Sequence, residues 1–321
     1  MLRAVRFCLM LEGQEGVTWE EWIGAACAAE RLGFDAIFTS DHYFSVMGSR
    51  DRGSSDAWTN LGAIAASTSS IRLGTLVSPV TFREPAVLAK CATTVDRISG
   101  GRVELGMGAG WWEEEHRSHG FPFPPAAERF DRLEEQLEIV HGLLTEERFT
   151  FHGKHYQLDD VPFAPKGVQE PHPPIIIGGD GGPRLARLVS RWADEFNTAG
   201  VDPAEAARRI AAVRARLDAD GRAQDTLTTS LMTWCYVGRT EDEALQRIRT
   251  ACERSMRMAR FEEELAEARA TCVIGSPEQA AERLNAYAAA GVQRIMLNPE
   301  LFDDLDMLEV LAERVFPLVG G

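Results

Sequence analysis

The sequence predicts an α/β fold of the (β/α)8 TIM-barrel type, with insertions. Three observations predict it. Eight short apolar, β-branched runs alternate with longer amphipathic patterns, which is the mark of parallel strands joined by helices. No G-x-G-x-x-G follows the first run, where an open dinucleotide-binding sheet would carry it. The 321 residues suit one barrel domain spanning 1–321.

Val5–Leu11 reads as the first strand. Trp19–Leu32 is a helix, since Trp22, Ala25, Ala26, Ala29 and Leu32 recur at helical spacing. Thr18 is its N-cap and Gly33 its stop. Ala36–Thr39 is the second strand and Ala57–Ala66 its helix. Arg72–Val77 is the third strand, followed by a helix over Glu84–Ile98 with Pro85 in its first turn. Ser99 to Arg102 turns the chain into the fourth strand, Val103–Met107. Glu128–Leu144 is strongly amphipathic, with Phe130, Leu133, Leu137, Val140 and Leu144 on one face. Phe149–Leu158 reads as a hairpin around His152-Gly153-Lys154, and a proline-rich stretch follows it. Residues 145–174 are therefore expected to be an insertion on the barrel. The alternation then resumes with the fifth strand, Ile175–Ile177, and the helix Pro183–Trp192. Glu195–Thr198 is a sixth strand with the helix Pro203–Leu217. Leu227–Val237 is the seventh strand, and helices fill 240–269. Ser276 caps a further helix over Pro277–Ala290, Arg294–Asn298 is the eighth strand, and Leu305–Val315 closes the chain.

The composition narrows the function classes. There are 49 acidic against 34 basic residues, a formal net charge of −15. Such a surface disfavours nucleic acid and anionic membranes as partners. The six cysteines form no C-x-x-C pair, so zinc-ribbon and thioredoxin chemistry has no support. The N-terminal apolar run is too short for a signal peptide. No apolar stretch approaches the ~20 residues that span a bilayer. A cytoplasmic protein is the expectation.

In a barrel, residues just beyond the strand C-termini form the active site. The second strand exits into Ser40-Asp41-His42-Tyr43-Phe44, where an Asp41–His42 pair can position an imidazole that titrates near neutral pH. The third exits through Gly74-Thr75-Leu76-Val77-Ser78-Pro79, which can face a planar ring or be plain core. The fourth exits through Gly106-Met107-Gly108-Ala109-Gly110-Trp111-Trp112, with glycines that admit close approach and indoles that can wall a pocket. Glu113, Glu114 and Glu115 read as a solvated helix start, favoured at the positive dipole end. The fifth exits through Gly178-Gly179-Asp180-Gly181-Gly182-Pro183-Arg184. Glycines running into a proline-started helix form a phosphate cradle of free N–H groups, with Arg184 adding charge. His116 and His119 lack a completing carboxylate, so no metal is expected. His141, His152, His155 and His172 read as structural or solvated.

At these exits the chain resembles the luciferase-like monooxygenase superfamily, and most of all its members that use the deazaflavin coenzyme F420. The carrying segments are Gly33 to His42, Ile71 to Thr75, Pro85 to Lys90, Asp96 to Arg102, Gly106 to Trp111, Glu128 to Glu135, His172 to Gly179 and Gly275 to Gln279. The resemblance implies a (β/α)8 barrel with His42 near the reactive ring carbon and Asp41 beside it. It places Thr75, Leu76 and Val77 at the ring, with a non-prolyl cis peptide at Leu76–Val77. It places Gly108, Gly110 and Trp111 near the cofactor. It assigns the phosphate loop to Gly178, Gly179, Asp180, Gly181 and Gly182. Leu76 stands where some relatives carry a small polar residue. The lysines and arginines that hold the substrate phosphate in sugar-phosphate dehydrogenase relatives have no counterpart, so that substrate is not expected.

The implied activity is F420-dependent hydride transfer to or from a small organic substrate, with His42 as proton donor or acceptor. The alternatives are a reduced-FMN, O2-using monooxygenase fed by a partner reductase, and a non-catalytic flavin-binding barrel. By analogy, a flavin or F420 reductase partner and a homodimer are expected.

Overall fold

The computed structural model describes residues 5–320; Gly321 and residues 1–4, which open the segment weighed above as a signal peptide, lie outside it. In chain order the elements are β1 (Arg6–Leu11), α1 (Trp19–Arg31), β2 (Ala36–Thr39), α2 (Ala57–Ser67), β3 (Arg72–Thr75), β4 (Ser78–Pro79), α3 (Pro85–Ser99), β5 (Val103–Gly108), α4 (Glu113–His119) and α5 (Ala126–Thr145). They continue as β6 (Arg148–His152), β7 (Gln157–Pro162), β8 (Ile175–Gly178), α6 (Pro183–Trp192), β9 (Glu195–Ala199), α7 (Pro203–Ala219), β10 (Thr228–Val237), α8 (Glu241–Arg254), α9 (Phe261–Thr271), β11 (Val273–Gly275), α10 (Pro277–Ala289), β12 (Arg294–Asn298) and α11 (Leu305–Val310).

Parallel pairing runs β1–β2–β3–β5–β8–β9–β10–β12 and returns to β1, so eight strands close a barrel. The pleat explains its two cores. Leu9, Leu11 and Ile37 point outward and join the layer between strands and helices. Cys8, Met10, Ala36 and Phe38 alternate with them and meet Ile176 and Met296 inside the barrel. At the strand N-termini the interior is charged: buried Arg294 pairs with Glu104, Glu195 (3.0 Å) and Asp35 (2.8 Å).

The expected eight strands are all present. The hairpin is longer than its apolar run, with β6 and β7 pairing antiparallel from Arg148 to Pro162. It joins the end of α5 to the start of β8 and packs back along α5, where the amides of Lys154, His155 and Tyr156 donate to Glu135. Two elements were not expected. The two-residue β4 pairs with β5 beyond the third strand, and the three-residue β11 extends the pairing at the far end of β10. Among the described residues no helix is long and apolar enough to cross a membrane.

Candidate active site

A cavity of about 640 Å³ opens at the strand C-termini. His42, Leu76, Val77, Gly108, Gly110, Trp111, Gly178, Gly179 and Asp180 line it. The exits of the second to fifth predicted strands thus converge on one space. Asp41, Thr75, Gly181 and Gly182 do not line it.

His42 follows β2, and its Nδ1 lies 2.8 Å from Glu115 Oε2. A carboxylate can only accept, so Nδ1 donates and Nε2 is left for the cavity. The other oxygen of Glu115 accepts the Tyr43 amide at 2.6 Å. Trp111 and Trp112 stand edge-on to the imidazole, with centroids 5.8 and 6.0 Å away. Burial depresses the imidazolium most, but the Glu115 hydrogen bond and charge outweigh it, helped by Glu12 and Asp41. The net result is a His42 that titrates above its ordinary range.

Two expectations are corrected here. Asp41 is not the partner of His42. Neighbours on an extended segment project to opposite sides, and Asp41 turns into the protein. There it accepts from Ser78 Oγ at 2.8 Å and from Arg83, which also holds Asp56 at 2.6 Å. Burial, opposed by Arg83, raises its pKa. Glu115, in contrast, is no solvated helix start but buried, at 1% exposure. Its signal was present in the sequence: Trp112, Glu115, His116 and His119 share one face at helical spacing. His116 spends both ring nitrogens, on Thr81 Oγ1 (2.6 Å) and the Trp112 carbonyl (2.7 Å). His119 holds the Glu115 carbonyl at 3.0 Å.

After β3 the chain bulges. The Leu76–Val77 peptide is cis, and β4 then resumes pairing on β5. Thr75 is fully buried, and its hydroxyl donates to the Gly106 carbonyl at 3.2 Å. Gly108 of the fourth exit and Gly178 of the fifth leave room for this bulge. A Cβ on Gly108 would lie 2.6 Å from Val77 Cγ2, and one on Gly178 3.3 Å from Val77 Cγ1. Leu76 and Val77 form an apolar shelf in the cavity wall.

The glycine loop is a narrower cradle than expected. The Gly179 amide is taken by the Asn197 carbonyl (3.0 Å), and that of Gly182 by Asp180 Oδ1 (3.0 Å). Among the described residues the amides of Asp180 and Gly181 meet no acceptor, and α6 starts with no side-chain cap. Gly181 is left-handed at φ +73°, and a Cβ there would crowd the Arg209 carbonyl at 3.1 Å. Arg184 is not the cation of this loop, because it pairs with Asp131 and with the Ala127 carbonyl (2.9 Å) on α5. Arg209 on α7 lines the cavity instead. A flat apolar shelf, two open amides, an uncapped helix and a guanidinium suit a ligand with a planar ring and an anionic tail.

The remaining wall was not foreseen. Glu12, at the end of β1, accepts from Gln14 Nε2 (2.6 Å) and Asn298 Nδ2 (3.2 Å). Glu15 accepts from Ser45 Oγ (2.6 Å), Val46 N (2.8 Å), Met47 N (3.0 Å) and Arg52 Nη1 (2.9 Å). It thereby holds the rim segment that brings Val46 and Met47 to the cavity.

A family model described as luciferase-like monooxygenase matches residues 5–294. An F420-dependent glucose-6-phosphate dehydrogenase of Microbacterium testaceum is 32% identical over 308 residues, covering 90% of each chain. An FMNH2-dependent dimethylsulfone monooxygenase of Pseudomonas putida is 28% identical over 316 residues, covering 91% of this chain and 85% of its own. The crystal structure of monooxygenase RslO1 from Streptomyces bottropensis superposes with a TM-score of 0.83 at 24% identity. It covers 97% of this chain and 99% of its own.

Proposed function

The chain belongs to the luciferase-like monooxygenase family, and from that premise we propose that this oxidoreductase uses coenzyme F420 to move a hydride to or from a small organic substrate. The observation that carries the reading is His42, held by Glu115, facing the Leu76–Val77 shelf and the glycine loop across one cavity. When bound, the deazaflavin supplies two-electron hydride chemistry. The chain's own residues do the rest. Leu76 and Val77 back the ring. The open amides of Asp180 and Gly181, the start of α6 and Arg209 hold the anionic tail. His42 keeps a proton on Nε2, gives it to the substrate oxygen in reduction and takes it back in oxidation. Glu115 keeps that imidazole charged and in one orientation. Trp111, Val46 and Met47 exclude water from the mouth.

The similarity to an FMNH2-dependent monooxygenase supports a second reading. In it the same shelf and loop hold reduced FMN supplied by a partner reductase, and His42 steadies the site during O2 chemistry.

The test is titration of the purified protein with F420 and with FMN, oxidised and reduced, read by tryptophan quenching. F420 binding with turnover supports the first reading; FMN binding without F420 binding overturns it. His42→Ala is expected to keep cofactor affinity and lose about 10²- to 10⁴-fold in turnover. Full turnover in that variant removes the proposed role.

A further inference from the structure

The shelf and the glycine loop occupy the half of the mouth formed by β3, β5, β8 and β9. The other half is built from Glu12, Val46, Met47, Met232 and Trp234, with Trp111 at the rim. Apart from the His42 imidazole, its charge is one-sided. Besides His42, the charged residues lining the cavity are Glu12, Asp180 and Arg209. Arg209 stands at the glycine loop, with its Nε on Glu205 (2.7 Å) and its Nη1 on Thr198 (2.9 Å). The substrate half therefore offers a carboxylate and no ammonium or guanidinium. A phosphate dianion carried there would meet the Glu12 carboxylate, with the single His42 imidazolium and no fork of donors to hold it.

Glu12 is built to accept. Each of its oxygens already receives one amide hydrogen, from Gln14 and from Asn298. Those bonds fix the side chain and leave a further lone pair on each oxygen. Its charge is felt at His42. Around it the walls are thioether, indole and valine, which suit apolar surface.

We infer that the substrate is an unphosphorylated, largely apolar molecule that donates a hydrogen bond from a hydroxyl or amine to Glu12 with its reacting carbon beside His42. This rests on the cofactor reading above and departs from the sugar phosphate named for the similar dehydrogenase of Microbacterium testaceum.

The experiment is calorimetry of the F420-loaded protein with three probes on one aromatic core: benzyl alcohol, benzylamine and benzylphosphonate. F420 loading is followed separately by tryptophan quenching, so failure to load strikes the cofactor reading and leaves the probe comparison to the FMN-loaded protein. The alcohol and the amine are expected to bind, and the phosphonate about a hundredfold more weakly, as like-charge juxtaposition requires. In Glu12→Gln the amine is expected to lose about tenfold. Met47→Lys, which adds a cation on a surface loop, is expected to recover phosphonate binding even if the Glu12 variant does not fold. Phosphonate or glucose 6-phosphate binding as tightly as the alcohol in unmodified protein would overturn the inference.

Discussion

Glu115→Gln isolates the charge behind His42 while keeping the size of the side chain. The native pair is 2.8 Å from ring nitrogen to carboxylate oxygen and nearly dry, with the carboxylate side chain 1% exposed. With charge centres ~4 Å apart and an effective dielectric constant of ~20, the attraction is about 4 kcal/mol. At 1.36 kcal/mol per unit that is at most about 3 pKa units, and removing a neighbouring opposite charge is known to move a group by about 1–3. Burial, the largest single influence on His42, is then unopposed by its main counterweight. The His42 pKa should fall within that bound, as burial again disfavours the imidazolium. The sign follows from linkage. A histidine raised in the folded state contributes stability below its unfolded pKa and loses it as pH rises through the folded one. If imidazolium donates the proton, activity in the reducing direction falls through that same raised pKa. In Glu115→Gln this limb should move to lower pH by the same interval. The assays are a kcat/KM profile against pH and the NMR titration of the His42 ring proton. Superimposable profiles for the two proteins would refute the assignment of Glu115 as the group that sets the charge of His42.

Three further perturbations test the scaffold. Glu30 accepts the amides of Ser69 (2.9 Å), Ser70 (2.6 Å) and Ile71 (3.0 Å) at the turn into β3. Partial burial works against its charge, but these bonds win and hold the carboxyl at about 2. Glu30→Gln should cost roughly 1–2 kcal/mol at pH 7, discounted for its exposure, with the urea midpoints of the two proteins converging as pH falls from 4.5 toward 2. Arg294→Met leaves Glu104 and Glu195 buried without their shared cation and should cost about 3–5 kcal/mol by denaturant unfolding. Replacing both glutamates with leucine in that background should recover most of the loss. Gly108→Ala sets a methyl 2.6 Å from Val77 Cγ2. By displacing the bulge it should cost about 1–3 kcal/mol of stability and weaken cofactor binding measurably in the quenching titration.

The barrel was legible in the sequence because each of its strands is a short apolar run with its own helix behind it. Arg294–Asn298 and Ala36–Thr39 carry the same bounds in sequence and structure. Two short elements were not legible. The two residues of β4 and the three of β11 become strands only by pairing with β5 and β10. The site was legible where chemistry follows from position along the chain, as for His42 and the Leu76–Val77 bulge. It was not legible where a partner comes from a distant segment. Adjacency suggested Asp41 for His42, but the partner lies 73 residues away. The same holds for the glycine loop, whose cation is Arg209 rather than the adjoining Arg184. Glu12 and Glu15 gave no signal either, because their meaning depends on which loop folds over them.

The rim segment following β2 takes its shape from outside itself. Its backbone contains no strand or helix from Ser40 to Asp56, and carboxylates rooted elsewhere hold it: Glu115 at Tyr43 and Glu15 at Val46 and Met47. Because main-chain amides are what those carboxylates hold, the identity of the side chains at 46 and 47 is left unconstrained by the attachment. Substrate preference can therefore drift, or be redesigned, at those two positions while the reacting imidazole and the barrel beneath stay as they are.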